Sequence, residues 1–185
     1  MSAESIVVQI VDALEAATIP YMLVGSFSSN LYGIPRSTKD ADFVVQLGHV
    51  PLSDVIARLN PEFILEPQMS FETITGTYRY ILRHSESAFT VEFFLLSDQP
   101  HDRERFTRKH RKMLAGRQPY LPTAEDVIIT KLFWSRQGKR TKDVEDVQSV
   151  IAVQQKNLDW DYIHRWCDTH STRELLASVV AMVPK

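Results

Sequence analysis

Two aspartates two positions apart, Asp40 and Asp42, open the stretch Asp-Ala-Asp-Phe-Val-Val. In a β-strand such a pair leaves the same face, about 7 Å apart at the Cα atoms. Like charges at that separation repel. A divalent cation bound by oxygen ligands favours both ionised forms, and Mg²⁺ is the usual ion where phosphates complete the shell. The same pair also suits the solvated face of an edge strand. Upstream, Gly25 and Ser26 follow the apolar run Tyr21–Val24, and 13 residues separate Ser26 from Asp40. Glycine at a strand-to-helix junction permits close backbone approach, and free helix N–H groups with the Ser26 hydroxyl can meet a phosphate. An ordinary turn and N-cap would use the same two residues. Arg36 and Lys39 can neutralise phosphate charge or stand in solvent. Glu92 lies within the apolar run Ala88–Leu96, where a lone carboxylate is costly unless it is paired, metal-bound or turned to water. As one constellation these residues would hold a nucleoside triphosphate (NTP) across metal ions, with Asp40, Asp42 and Glu92 as catalytic and metal-ligating candidates.

Lys131 sits on a helical stretch among Val127, Ile128, Leu132 and Trp134, so its stem can pack while its ammonium reaches a cleft or the solvent. Asp143 and Asp146 are three apart and share a helix face. They can orient Lys131 or Arg140, one can act as a base, or both can belong to a surface ion-pair network. Arg103, Arg105, Arg108, Lys109, Arg111 and Lys112 form a basic segment interrupted by Asp102 and Glu104. It reads as a phosphate-backbone track or as a solvated helix and turn. Residues 1–100 carry 5 Lys/Arg against 12 Asp/Glu, and residues 101–185 carry 16 against 11. A second half at +5 after a first half at −7 can face a polyanion, or the two halves can attract each other.

The elements that must position these groups follow from periodicity and punctuation. Apolar residues at helical spacing predict a helix over 4–17, stopped by Pro20. Strands are expected at Tyr21–Val24, Asp40–Val45, Phe63–Leu65, Thr77–Arg83 and Ala88–Leu96, with short helices at Ser26–Tyr32 and from Pro51 through Leu59. A short charged helix at His101–Thr107 precedes a small hairpin, Arg111–Leu114 with Gln118–Leu121, turning at Ala115-Gly116. The last third is helical over 124–136, 141–154, 159–169 and 172–182. Thr123 and Ser171 each stand three residues before an acid, and Ser171 with Glu174 reads as a capping box. The fold class is therefore α/β (α+β), a small mixed sheet flanked by helices and followed by a helical C-terminal part.

The strand motifs Val24-Gly25-Ser26, Asp40-Ala41-Asp42-Phe43 and Val91-Glu92-Phe93 resemble the nucleotidyltransferase superfold, whose pattern is Gly-Gly or Gly-Ser, acid-apolar-acid, then a third acid on a later strand. Glu92 stands where many members carry Asp. Residues 122–151 resemble the AbiEii branch, the abortive-infection toxins, through Lys131 and the run Arg140-Thr-Lys142-Asp143-Val-Glu-Asp146, with Ala124 where Pro is frequent. The resemblance implies Mg²⁺-dependent transfer of a nucleoside monophosphate from NTP to an acceptor hydroxyl. Asp143 joins the catalytic candidates, and Gly25, Ser26, Arg36, Lys131, Arg140, Lys142 and Asp146 handle the nucleotide. It also implies an RNA acceptor such as tRNA and a cognate antitoxin. The rival expectations are a non-catalytic nucleotide-binding module and a small-molecule nucleotidyltransferase.

Length and composition bound these readings. At 185 residues, 44% hydrophobic and 24% charged, the chain can bury a core, and the expected division is a nucleotidyltransferase-like part at 1–121 with a helical subdomain at 122–185. One cysteine, Cys167, excludes an internal disulfide and a cysteine metal cluster. The six histidines lack close ligand spacing. No apolar run approaches the ~18 residues of a membrane span, and the start lacks a leader pattern, so the expected location is cytoplasmic.

Overall fold

The protein is described by a computed structural model covering residues 2–138 and 141–183. Helix α1 (Ala3–Ala16) begins where the Ser2 side chain accepts a hydrogen bond from the Ser5 N–H, and it buries Ile6, Val7, Ile10, Val11 and Leu14 along one stripe. Strand β1 (Tyr21–Val24) is buried at every position and runs straight into α2 (Gly25–Tyr32). Strand β2 (Asp40–Val45) returns antiparallel to β1, placing Val24 opposite Asp42. After α3 (Leu52–Ile56) come β3 (Phe63–Leu65), β4 (Ser70–Glu72), β5 (Thr77–His84) and β6 (Thr90–Leu95). The sheet order is β1-β2-β6-β5-β3, with β4 also paired to β5; only β2 and β6 are parallel, so the sheet is mixed.

Beyond the sheet lie α4 (Pro100–Arg108), the two-stranded ribbon β7 (His110–Arg111) and β8 (Tyr120–Leu121), and then α5 (Ala124–Gly138), α6 (Thr141–Gln154), a 3₁₀ turn at Gln155–Asn157, α7 (Trp160–Thr169) and α8 (Arg173–Met182). Two separate apolar clusters hold the chain together. One packs α1 and α3 against a sheet face through Ala41, Phe43, Val45, Val91 and Phe93; the other joins α5 to α8 and takes in Tyr32 of α2. A small third cluster of Met22, Val24, Val44, Phe94 and Phe106 lies on the opposite sheet face, beneath α4.

Three local features differ from expectation, and two others form as expected. The helix expected from Pro51 through Leu59 is α-helical only to Ile56, because Arg58 N donates to Val55 O and Leu59 N to Ile56 O, tightening the end into i to i+3 turns. Strand β4 was not expected: three residues, two of them exposed, carry too little alternation to be read. The expected hairpin does form, pairing at β7 and β8 and through a bridge between Leu114 and Arg117, with Ala115 and Gly116 both at positive φ in the turn. The capping box at Ser171 does not form. Ser171 adopts φ 54°, α8 begins two residues later, and its N-cap Thr172 makes no side-chain cap bond. At Thr123 the cap does form, with the hydroxyl accepting from Asp126 N at 3.2 Å.

Candidate active site

The alternation of β2 decides where the acids go. Ala41, Phe43 and Val45 are fully buried in the main core, so Asp40 and Asp42 emerge on the other face. On the parallel neighbour β6, Val91 and Phe93 are buried in the same core and Glu92 emerges beside Asp42, its register partner. Farther along these strands the acid-bearing face is sealed by Val44 and Phe94, so the carboxylates occupy its open end. Each of two acids has a neighbouring donor. The Thr38 hydroxyl donates to Asp40 Oδ1 at 2.7 Å, and Arg79 Nη1 on β5 donates to Glu92 Oε2 at 2.8 Å.

Gly25 fits this place for two reasons. Its φ of +64° lies in the left-handed region, and a Cβ there would stand 1.9 Å from Asp42 Oδ2. The backbone of the β1–α2 junction therefore lies directly against the Asp42 carboxylate. Ser28 and Ser29 donate to Gly25 O at 2.8 and 3.0 Å and hold the first turn of α2 in place. Asn30 clamps the following loop, accepting from Arg36 N and donating to Arg36 O. Arg36, so fixed, donates to Ser26 Oγ at 3.1 Å and makes a two-pronged pair with Asp146 at 2.7 and 3.0 Å.

Helices α5 and α6 supply the adjoining side. Lys131 Nζ lies 2.9 Å from Asp143 Oδ1 and 2.7 Å from Asp146 Oδ2, and all three side chains are at most 6% exposed. Burial pushes the Asp146 carboxyl upward, but the hydrogen bond from Arg36 and the Lys131 ammonium outweigh it and the net shift is downward. The same bond to Asp146 raises the Arg36 guanidinium above its ordinary value. Cation and anion thus hold each other charged inside the protein.

A cavity of about 490 Å³ opens onto these groups. Gly25, Ser26, Arg36, Lys39, Asp40, Asp42, Glu92, Lys131, Lys142 and Asp143 all line it, so the structure brings together ten of the residues expected from sequence. Asp146 stands behind the wall and reaches the cavity through Arg36 and Lys131. Arg140 lies outside the described residues. The lining also includes Thr38, Glu72, Thr75, Arg79 and Trp134, which sequence reasoning did not assign to a site. Trp134 was within reach of it, being one turn from Lys131 on α5. The others depend on strand register and loop path.

Among the described residues, no three His, Cys, Asp or Glu side chains converge closely enough to enclose a cation unaided. The donor set on β2 and β6 is nevertheless all carboxylate oxygen, the type hard divalent cations take. Mg²⁺ is ordinarily held by one or two carboxylates, with phosphates and water completing the shell. The residues fit an ion that arrives with a phosphate ligand.

The basic segment is engaged in part within the fold and in part in exposed surface pairs. Arg105 is buried against Asp102 and Thr130, and Arg108 pairs with Asp126 and lies over the Tyr162 ring. Arg103 pairs with Asp98, Lys109 lies over Phe106, Lys112 lies over Tyr32, and Arg111 pairs with Glu15. Arg117 likewise reaches Asp12 in α1. Part of the charge asymmetry is therefore used in contacts between the two halves.

No known family profile matches the chain, and no curated protein matches it by sequence. Its fold is that of nucleotidyltransferases. It is similar to ANT(2'')-Ia in complex with adenylyl-2''-tobramycin, at 11% identity and a TM-score of 0.64 over 94% of this chain and 99% of that one. It is similar to an antigenic nucleotidyltransferase-like protein from Paracoccidioides brasiliensis, at 17% identity and a TM-score of 0.58 over 98% and 93%. The lincosamide antibiotic adenylyltransferase LnuA, bound to lincomycin, shares the fold at 16% identity and a TM-score of 0.54 over 83% and 98%. No helix among the described residues is long and apolar enough to cross a membrane.

Proposed function

We propose that this chain transfers a nucleoside monophosphate from an NTP to a hydroxyl of a small-molecule acceptor, releasing pyrophosphate. The observation that carries the reading is the register of β2 and β6, which sets Asp42 beside Glu92 under the Gly25 junction, in one cavity with Arg36 and Lys131.

Asp40 and Asp42 would hold Mg²⁺, which when bound neutralises phosphate charge and polarises the α-phosphate. Ser26 and the first turn of α2 offer donors to the triphosphate, and Arg36, Lys39, Lys131 and Lys142 offset its charge. Asp146 is a positioning residue that fixes Arg36 and Lys131 from behind. Glu92, through the carboxylate oxygen that Arg79 does not hold, is the acceptor-side base: it takes the hydroxyl proton as the hydroxyl oxygen attacks the α-phosphorus, and the bond to the pyrophosphate oxygen breaks in line. Asp143 holds the Lys131 side chain at the cavity wall, the role its 2.9 Å contact supports in place of proton transfer.

A small acceptor is favoured over RNA because Arg105 and Arg108, in the middle of the basic segment, are turned inward onto Asp102 and Asp126 and leave a shortened surface track. ANT(2'')-Ia and LnuA, whose solved complexes hold antibiotics, also match nearly end to end, so an acceptor of that size is compatible with a chain of this extent. The toxin role and antitoxin partner drawn from the AbiEii resemblance rest on Lys131 and the 140–146 motif within residues 122–151. The division at 121/122 is part of the proposal, supported by the two apolar clusters.

The test is pyrophosphate release with Mg²⁺ and each NTP, coupled to the mass gain of the acceptor. Hydroxylated small molecules are expected to gain one nucleoside monophosphate and tRNA none. Transfer confined to RNA would overturn the acceptor class, and nucleotide binding without pyrophosphate release would make the chain a binding module.

A further inference from the structure

The Glu92 carboxylate has an anion on one side and a cation on the other. Asp42 is its register partner on β2. On β5, Arg79 is the register partner of Phe94 and therefore the diagonal neighbour of Glu92, close enough to donate to Oε2 at 2.8 Å. Arg79 is anchored a second time, its Nε donating to Ser70 Oγ on β4 at 3.3 Å. The pair is only partly solvated, with side-chain exposures of 30% and 20%. Burial raises the Glu72 carboxyl, but hydrogen bonds in the turn to Thr75 outweigh it and hold the group low, with Arg79 adding a smaller lowering from across the cavity lining. The guanidinium is therefore built into the acidic side of the cavity.

We propose that Arg79 is an internal counter-cation that withholds Glu92 from divalent metal until nucleotide is present. This inference rests on the function proposed above. Asp42 and Glu92 side by side would attract a free cation, but an ion approaching them meets the positive charge of Arg79 and must compete for Oε2. A triphosphate adds negative charge to the same cavity and shifts that competition. Metal and nucleotide then tighten each other's binding, and by linkage the coupling is equal in both directions. Arg79 is a positioning residue here, acting through Glu92 and not on the substrate.

The test is Mn²⁺ binding, followed calorimetrically and by the loss of free-ion EPR signal, with and without a non-hydrolysable NTP. In wild type, Mn²⁺ alone is expected to bind weakly and to tighten strongly with nucleotide. R79Q is expected to bind Mn²⁺ alone about tenfold more tightly, the scale of one charge-assisted hydrogen bond removed from competition, and to lose most of the nucleotide coupling. R79K, which keeps the cation, should stay within about threefold of wild type. S70A, on the exposed strand β4, loosens only the second anchor and should tighten Mn²⁺ by about twofold, so the idea stays testable if R79Q folds poorly. Unchanged or weaker Mn²⁺ binding in R79Q and S70A overturns the proposal, as does a tightening in R79Q that survives the added change E92Q. Wild type that binds Mn²⁺ with nucleotide while R79Q shows no gain sinks this inference alone; wild type that binds neither sinks the function on which it rests.

Discussion

Gly25→Ala tests the geometry of the site with the smallest available change. One methyl group is added at a position whose φ is +64°. An alanine in that region costs about 1 to 2 kcal/mol. For a chain of this size that predicts a loss of roughly 2 to 8 °C in Tm, which a folded protein can tolerate. The contact is the larger effect. The new Cβ would lie 1.9 Å from Asp42 Oδ2 and 2.8 Å from its Cγ, distances that bonded chemistry alone permits. Asp42 or the start of α2 must therefore move by about 1 Å, and a displacement of that size at reacting groups costs on the order of 100-fold in rate. The assay is kcat/KM for pyrophosphate release, beside a thermal melt and far-UV circular dichroism. The expected result is a folded protein with a modestly lower Tm and activity down about 100-fold. A variant that keeps activity within about threefold would refute the reasoning, because Asp42 would then tolerate a position other than the one Gly25 imposes.

K131M leaves Asp143 and Asp146 buried with a cation removed, so stability is expected to fall by about 3 kcal/mol or more in urea unfolding, with the triple variant K131M/D143N/D146N recovering at least half; a loss below about 1 kcal/mol would contradict a buried pair. His170, held by burial near a pKa of about 4 beside His101, stays neutral in the fold while the unfolded chain protonates. Its contribution is thus present above the unfolded value of about 6.5 and is lost as pH falls toward the folded value, about 1 kcal/mol by pH 5 after allowance for partial exposure. H170Q should flatten that part of the decline in urea midpoint, and parallel curves would refute the assignment.

What could be read from the sequence was whatever local pattern controls. Strands β1, β2 and β3 were expected with the bounds they have, because apolar runs between Pro, Gly and Asn leave little freedom. The projection of Asp40 and Asp42 from one face follows from the strand period alone, whereas Gly25 and Ser26 suit an ordinary turn and N-cap equally well and gain meaning only beside the acidic strand. Relations across the chain were not legible. Arg79 meets Glu92 only once the register of β5 on β6 is known. The sequence left the basic segment between a phosphate track and a solvated helix because its partners, Asp126 for Arg108 and Glu15 for Arg111, are distant along the chain. Asp146 could be grouped with Lys131, but not its place behind the wall, where it also holds Arg36. The capping box at Ser171 was a correct pattern in the wrong place, since the tight turn from α7 takes Ser171 into the left-handed region.

The most direct measurement is pyrophosphate release from NTP and Mg²⁺ in the presence of a hydroxylated acceptor, for wild type beside D42N. Asp42 is the acid that touches the Gly25 junction and neighbours Glu92, and its amide is nearly the same size. The expected result is release in wild type and a loss of at least about 1,000-fold in D42N with an unchanged melting curve. Equal release by the two proteins would contradict the assignment of this carboxylate to the chemistry.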